Sequence, residues 1–532
     1  MKLFRKLVIL SHRYLGIVFS LLVMMWFASG VVMMYAGGLP RLTPQELLLR
    51  QAPLDLARVQ LTPEQAAEQL AVDGVRGRVT LASVMNRPAY RMGGATVFAD
   101  TGDVLEEVGV EQSRAIAGAF MDVPVDRVKF AGTLTDVDQW TLLESRLLPL
   151  HKFGVADDVG TELYVSAESA SVVMRTTSRS RALSWAGVIP HWLYFTALRT
   201  NQPLWYQVVV WLSVAACIVT VLGLILGVTQ YRRTRPFKLS AAVPYAGWMK
   251  WHYVTGVVFG AFTLTWAFSG LISMEPFAWT RAEGMQVRRD TFSGGPLELA
   301  RFGPVDAAAL HGLAGDRVIK EIELLRIHDR HYYAVRSAPA VQTDDVRRER
   351  LHQPYPVNGR MERERILVDA ETLQVREPFS QTSIVSRLQA SLPDAPIVGQ
   401  ELLTDYDSYY YSRNRLTPRP VLRVQFAEPA ETWVYIDPET SATLAQIPRL
   451  ARYERWLFNG LHSLDFAFWY NRRPLWDIGM ITLCIGGFAS SAIGLFMGVR
   501  RMRRAGARKV KAWTEAPSSP ATAPRAARSS VR

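Results

Sequence analysis

Four histidines stand at the edges of four apolar runs, and they fall into two matched pairs. His12, Gly16, Trp26, Ser29 and Gly30 recur 240 residues later as His252, Gly256, Trp266, Ser269 and Gly270. His191, Pro203, Leu204, Trp205, Gly223 and Gly227 recur 271 residues later as His462, Pro474, Leu475, Trp476, Gly494 and Gly498. Imidazole is costly inside a bilayer and is the commonest metal ligand, so a histidine kept at a membrane edge points to a functional site. Four of them in two pairs suggest two bis-histidine metal centres. Two imidazoles facing across a gap suit a six-coordinate haem iron, which has no vacant position for dioxygen and favours electron transfer. A zinc site would draw on three or four ligands, often spaced as His-Glu-x-x-His, and that motif is missing from the chain. A proton or ion channel would call for buried carboxylates, and the apolar runs carry essentially none.

The elements that must hold these histidines are membrane helices. Apolar windows at about 15–36, 204–229, 253–274 and 477–499 each exceed the roughly 18 residues that mark a spanning helix. The first is too long for a secretory signal core and has no clear small-x-small cleavage site, so it is expected to stay in the mature chain. Basic residues cluster beside the windows: Lys2, Arg5 and Lys6 before the first, Arg232, Arg233, Arg235 and Lys238 between the second and third, Arg500, Arg501, Arg503 and Arg504 after the fourth. They share one side, which the positive-inside rule makes cytoplasmic. The net charge of +13 is largely this anchoring set, so it is not read as nucleic-acid binding. His12 and His252 then share an inner depth, and His191 and His462 an outer one. From His12 to Tyr35 a helix rises roughly 35 Å, so the two centres would lie near opposite faces. Trp26 and Trp266 fall between them and could shorten an electron path, although aromatic packing is the reading we prefer.

Two polar stretches, 40–185 and 280–450, separate the windows, and they echo each other. Leu134–Asp138, Pro149 and Leu163–Val165 return as Leu403–Asp407, Pro420 and Val434–Asp437, and Thr96–Asp100 resembles Ile366–Asp369. Each echo alternates like a strand and ends in a turn, with helical stretches such as Pro63–Leu70 and Ser113–Phe120 between them, so both stretches are expected to be α+β with two small sheet units each. Both cysteines, Cys217 and Cys484, fall inside apolar windows, leaving the polar stretches without disulfides. The Ala/Ser/Pro/Arg-rich end reads as disordered.

The His-x-x-x-Gly start and the Trp-x-x-Ser-Gly interior in two copies, with the Tyr-Ile-Asp turn at Tyr435–Asp437 whose first-half counterpart Tyr164-Val165 is followed by Ser166 in place of Asp, resemble over residues 5–503 the PepSY-associated transmembrane helix family. Its members include iron-regulated inner-membrane proteins and ferric-siderophore reductases that carry haem b between their helices. The resemblance implies a bacterial inner-membrane protein with both termini cytoplasmic, built from four transmembrane helices in two repeated pairs and two periplasmic α+β PepSY-like domains. It divides into helix 1 (1–39), a first periplasmic domain (40–185), an interfacial segment with helix 2 (186–230), a cytoplasmic loop (231–249), helix 3 (250–276), a second periplasmic domain (277–455), an interfacial segment with helix 4 (456–500) and a disordered basic tail (501–532). The implied function is that of an oxidoreductase passing electrons to a ferric siderophore in iron uptake, with two haem b groups on His12, His252, His191 and His462. The donor, quinol or a flavoprotein, is left open. A haem-free binding or regulatory membrane protein is the alternative, because PepSY-like units elsewhere accompany peptidase inhibition.

Around the ligands, Gly16 and Gly256 lie one turn beyond their histidines, where a flat porphyrin could approach, whereas Gly494 and Gly498 read as helix packing. Arg13, Lys250, Arg199, Arg472 and Arg473 are at depths suited to haem propionates, and equally to interfacial anchoring. For the acceptor, the aromatic cluster Tyr406, Tyr409, Tyr410 and Tyr411, with its counterpart Trp140, is a candidate contact, although packing on a sheet is preferred. His311, His328, His331 and His352 are expected at the surface. His151 aligns with Leu422 and is a poor ligand candidate.

Overall fold

The structure is a computed structural model that describes residues 2–36, 38–70, 77–232, 242–278, 285–288, 290–339, 365–411 and 417–514. Arg233, Arg235, Lys238, His352 and the end of the tail lie outside the described residues. The chain forms two compact units, one of Met1–Val31, Trp211–Phe268 and Asp477–Arg532, the other of Val32–Val210 and Ser269–Trp476.

The first unit is helical. Four helices are long and apolar enough to cross a membrane: Leu3–Ala36, Gln202–Gln230, Gly247–Ile272 and Leu475–Ala507. We call them the first to fourth spanning helices. Lipid offers backbone groups no partner, so only closed hydrogen-bonded forms such as these can span it. Hydroxyls on them turn back to their own helices, as Thr220 does to the Ala216 carbonyl at 2.8 Å and Thr263 to that of Phe259 at 3.0 Å. Small residues let the helices close: Gly227 abuts Val257, Gly486 abuts Phe259 and Gly487 abuts Phe27. The fourth helix continues to Thr514, through Arg500–Arg504 and past the point where the tail was expected to begin. Ala, Arg, Met and Lys are strong helix formers, and extending a helix already nucleated is cheap.

The second unit is α+β. Strands β1 (Val79–Val84), β2 (Arg87–Met92) and β3 (Ala95–Phe98) form a meander, as do β8 (Arg317–Ile327), β9 (Arg330–Pro339) and β10 (Arg365–Asp369). Two-residue turns with both residues at positive φ close three of these hairpins: Met85–Asn86, Gly93–Gly94 and His328–Asp329. Two antiparallel four-stranded sheets follow, β4 (Val128–Leu134) to β5 (Leu150–Val155), β6 (Glu162–Ser166) and β7 (Ser171–Thr176), and β11 (Ile397–Leu403) to β12 (Val421–Phe426), β13 (Trp433–Ile436) and β14 (Thr443–Ile447). Each buries one face under a helix. Ala117 of Val110–Met121 packs on Phe153, Leu163 and Val165, and Ile384 and Leu388 of Gln381–Ser391 pack on Leu422, Val424 and Ile436.

One expectation changes. The two polar stretches do not keep two separate sheets each, because β1 pairs antiparallel with β8 through Val79–Leu324 and Leu81–Ile322. The two meanders thus merge into one six-stranded sheet, ordered β10-β9-β8-β1-β2-β3. Alternation along a strand specifies which face is buried and says nothing of which edge will pair. A common core of Leu81, Tyr90, Ile322, Leu324 and Val335 then covers the seam.

Candidate metal centres

The structure brings the four histidines together as two pairs. In the first unit, His12 of the first spanning helix and His252 of the third have ring centroids 6.2 Å apart. In the second unit, His191 and His462 have centroids 6.1 Å apart. An imidazole nitrogen binds a metal ion at about 2.0–2.1 Å and the ring centre lies about 1.1 Å behind it, so rings on opposite sides of one ion have centres about 6.3 Å apart. Both pairs meet that spacing. Among the described residues no group of three or more His, Cys, Asp or Glu side chains converges, so each pair offers two nitrogens and little else. That donor set fits a group such as haem, whose own ring supplies the remaining ligands of the iron.

The first pair is oriented from behind. His12 Nδ1 lies 3.0 Å from the Val219 carbonyl, and His252 Nδ1 lies 3.0 Å from the Ser490 carbonyl. A carbonyl can only accept, so Nδ1 donates in both rings and Nε2 keeps its lone pair. Metal-bound histidines are held in this way, with the second nitrogen donating to a fixed acceptor. Each ring reaches a carbonyl on a neighbouring helix because glycine sits one turn further on. A Cβ on Gly223 would stand 2.8 Å from His12 Cε1, and one on Gly494 would stand 3.0 Å from His252 Cε1. Gly494 therefore clears space for an imidazole, where plain helix packing was expected, while Gly498 does pack, against Ile17. Gly16 faces open space and Gly256 faces Ser490 Oγ at 3.7 Å. Trp266 packs edge-on to Phe27, 5.6 Å between centroids.

The second pair is held by clamps. His191 lies in the short helix Val188–Trp192 and His462 in Leu461–Ser463, each separate from the spanning helix that follows it. Both short helices end in a left-handed leucine, Leu193 at φ 53° and Leu464 at φ 48°. The carbonyl of the residue after each histidine accepts an indole N–H: Trp205 Nε1 donates to Trp192 at 2.9 Å, and Trp476 Nε1 to Ser463 at 3.0 Å. Ser269 Oγ lies 2.9 Å from His462 Nδ1. The sheets also grip these segments. Asp138 accepts from the Tyr164 hydroxyl at 2.8 Å and holds a loop from which Gln139 donates to the Tyr194 carbonyl at 2.6 Å. Asp407 accepts from the Tyr435 hydroxyl at 2.8 Å, and the adjacent Ser408 carbonyl accepts from Arg455 Nε at 2.9 Å.

The basic candidates separate by position. The Arg199 guanidinium lies over Trp205 at 4.8 Å and Tyr194 at 5.1 Å. Its counterpart over Trp476, at 4.2 Å, is Arg473, while Arg472 is exposed. Lys250 is exposed, and half-buried Arg13 joins Arg5 and Lys6 around a shallow hollow.

In the sheet unit, Tyr410 is buried and stacks on Tyr435 at 5.0 Å, and the Tyr411 hydroxyl donates to Asp465 at 2.9 Å. Trp140 is buried in a core with Leu150 and Tyr164. His311 is exposed as expected. His331 is not: it is buried edge-on to Phe302 and accepts from the Glu298 N–H at 3.4 Å. His328 is half-buried in its turn, between Phe292 and Phe379. A two-residue turn folded back on an aromatic core draws its side chain inward, and period-two reasoning has no means to see that. His151 spends both nitrogens, on Thr133 Oγ1 at 2.9 Å and the Val108 carbonyl at 3.2 Å.

Comparison with known families gives a match. The family described as the PepSY-associated TM region matches residues 10–316, more than half of the chain and including His12, His191 and His252. No curated protein matches the chain.

Proposed function

The chain thus belongs to the PepSY-associated TM region family, and on that premise we propose that it is a di-haem b protein of the bacterial inner membrane which passes electrons outward to a ferric siderophore or other periplasmic acceptor. The observation that carries this reading is the twofold occurrence of imidazole pairs at 6.2 and 6.1 Å, the first with both Nδ1 atoms engaged by carbonyls. Haem b bound between two imidazoles supplies reversible one-electron transfer at an iron with no open position.

The chain's own part is to bind and orient. Val219 and Ser490 fix the tautomer of the first pair, and Gly223 and Gly494 give the rings room. Trp205, Trp476 and Ser269 hold the second pair in register. The substrate is Fe(III) held by hard oxygen ligands. One added electron gives Fe(II), for which those ligands have less affinity, so the chelate releases it. The donor is quinol or a cytoplasmic flavoprotein, reached from the side on which the basic flanks and both termini lie.

The test is substitution with a haem count. His12→Ala or His252→Ala should remove one low-spin haem and leave the other, and His191→Ala or His462→Ala should do the reverse. Retention of both low-spin haems in any of the four variants would contradict the pairing.

A further inference from the structure

The fourth spanning helix is approached through a continuous helical run: Arg449–Glu454, a π-helical turn Arg455–Gly460, and Leu461–Ser463 with His462. Single π turns concentrate at functional sites. Arg455 opens this one, and at 8% exposure it is a deeply buried cation. Its Nε donates to the Ser408 carbonyl and its Nη2 to the Asp465 carbonyl, both at 2.9 Å. Asp465 lies three residues past His462, so the guanidinium rests against the chain as it leaves that histidine. The ring faces of Tyr411 and Trp456 lie 4.8 and 4.6 Å from it.

Nη1 of the same guanidinium is buried and has no hydrogen-bond partner among the described residues. The Asp465 carboxylate pairs with Nη2, its Oδ1 standing 3.6 Å away, while its Oδ2 accepts from Tyr411. A buried charged donor left without an acceptor is strongly unfavourable, so this N–H calls for an acceptor beyond the described residues, and a planar carboxylate is the group a guanidinium fork matches best. The corresponding position of the other half is Ser184, which is buried and bonds to the Ser180 carbonyl, so the cation is one-sided.

We propose that Arg455 Nη1 is the docking point for a carboxylate of the group held between His191 and His462, a haem propionate on the reading given above, on which this inference rests. A carboxylate on the ferric chelate would have the same chemistry. Burial favours the resident group, since its arm enters with it, whereas a soluble chelate would need an open path to Arg455.

The full-length protein in detergent tests this by redox titration and haem-loss kinetics, with the two components told apart by the His462→Ala and His12→Ala variants. Arg455→Gln should lower the midpoint potential of the His191–His462 component, because a nearby cation favours the reduced form. It should also speed loss of that haem while leaving the His12–His252 component unchanged. Haem with esterified propionates should be lost faster than free-acid haem from the wild-type site, and no faster from Arg455→Gln. If Arg455→Gln does not accumulate, Arg455→Lys and the esterified haem in wild-type protein carry the test. An unshifted midpoint, or esterification that speeds loss equally with and without Arg455, overturns the inference. So does a variant whose only defect is a raised KM for a carboxylate-bearing ferric chelate. Wild-type protein that binds no haem would overturn the underlying reading as well, whereas two haems with an unshifted midpoint would overturn this inference alone.

Discussion

On the proposed reading, a histidine ligand is only as good as what stands behind it, and here that role falls to backbone and glycine. His12 and His252 lean on carbonyls at Val219 and Ser490, and the glycine a turn beyond each carbonyl leaves the ring its space. Gly223→Ala places a methyl group 2.8 Å from His12 Cε1, inside any real contact distance, so the ring must shift from its carbonyl. We expect this variant to lose the low-spin signal of the His12–His252 pair and keep that of the other; an absorption spectrum beside a haem count reads it. The repeat made Gly223 and Gly494 visible in the sequence, but their role was not, because spacing along one helix does not tell which neighbouring helix will face it. Gly16 and Gly256, singled out for their closeness to the histidines, have open space and a serine beside them instead.

At the scale of elements, the second pair depends on Val188–Trp192, whose five residues complete barely one turn and leave no periodicity to find, and on Leu461–Ser463, the last turn of the helical run that begins at Arg449. Trp205 and Trp476 were legible as a repeat, yet their hydrogen bonds to the residue after each histidine follow from the leucine kinks at Leu193 and Leu464. Trp476→Phe keeps an aromatic side chain and removes the indole donor, the lost hydrogen bond alone costing about 1 kcal/mol. The expected outcome is faster haem loss from the His191–His462 pair with the other unaffected. A second element gives a pH dependence. Burial of the His328 imidazole, reinforced by Arg387 and Arg376 and opposed by Asp329, lowers its pKa from the ordinary 6.5 to about 4. The unfolded chain therefore binds a proton here between those values that the folded chain refuses, so stability present above about 6.5 is lost as pH falls towards 4. Asn tolerates the left-handed turn conformation and does not titrate. His328→Asn should show a smaller drop in melting temperature between pH 7 and pH 4 than the parent, as followed by circular dichroism.

For the molecule as a whole, every central feature is made by both halves. Each histidine pair takes one ring from each, and the six-stranded sheet is joined across the β1–β8 ladder. The apolar windows, the strand echoes and the α+β character were readable from local pattern. The merged sheet was not, because edge pairing is a long-range choice that leaves no mark on the alternation of one strand. Residues 1–232 expressed alone should be rapidly proteolysed and low in haem, and co-expression with residues 242–532 should restore both, as judged by co-purification. The central claim is tested most directly by the reduced-minus-oxidised absorption spectrum of the detergent-purified full chain, with a pyridine haemochrome count. Low-spin b-type bands at two haems per chain are the expected result. A colourless protein, made in cells well supplied with haem, would contradict the account and leave the sheet unit to be studied as a binding or regulatory module.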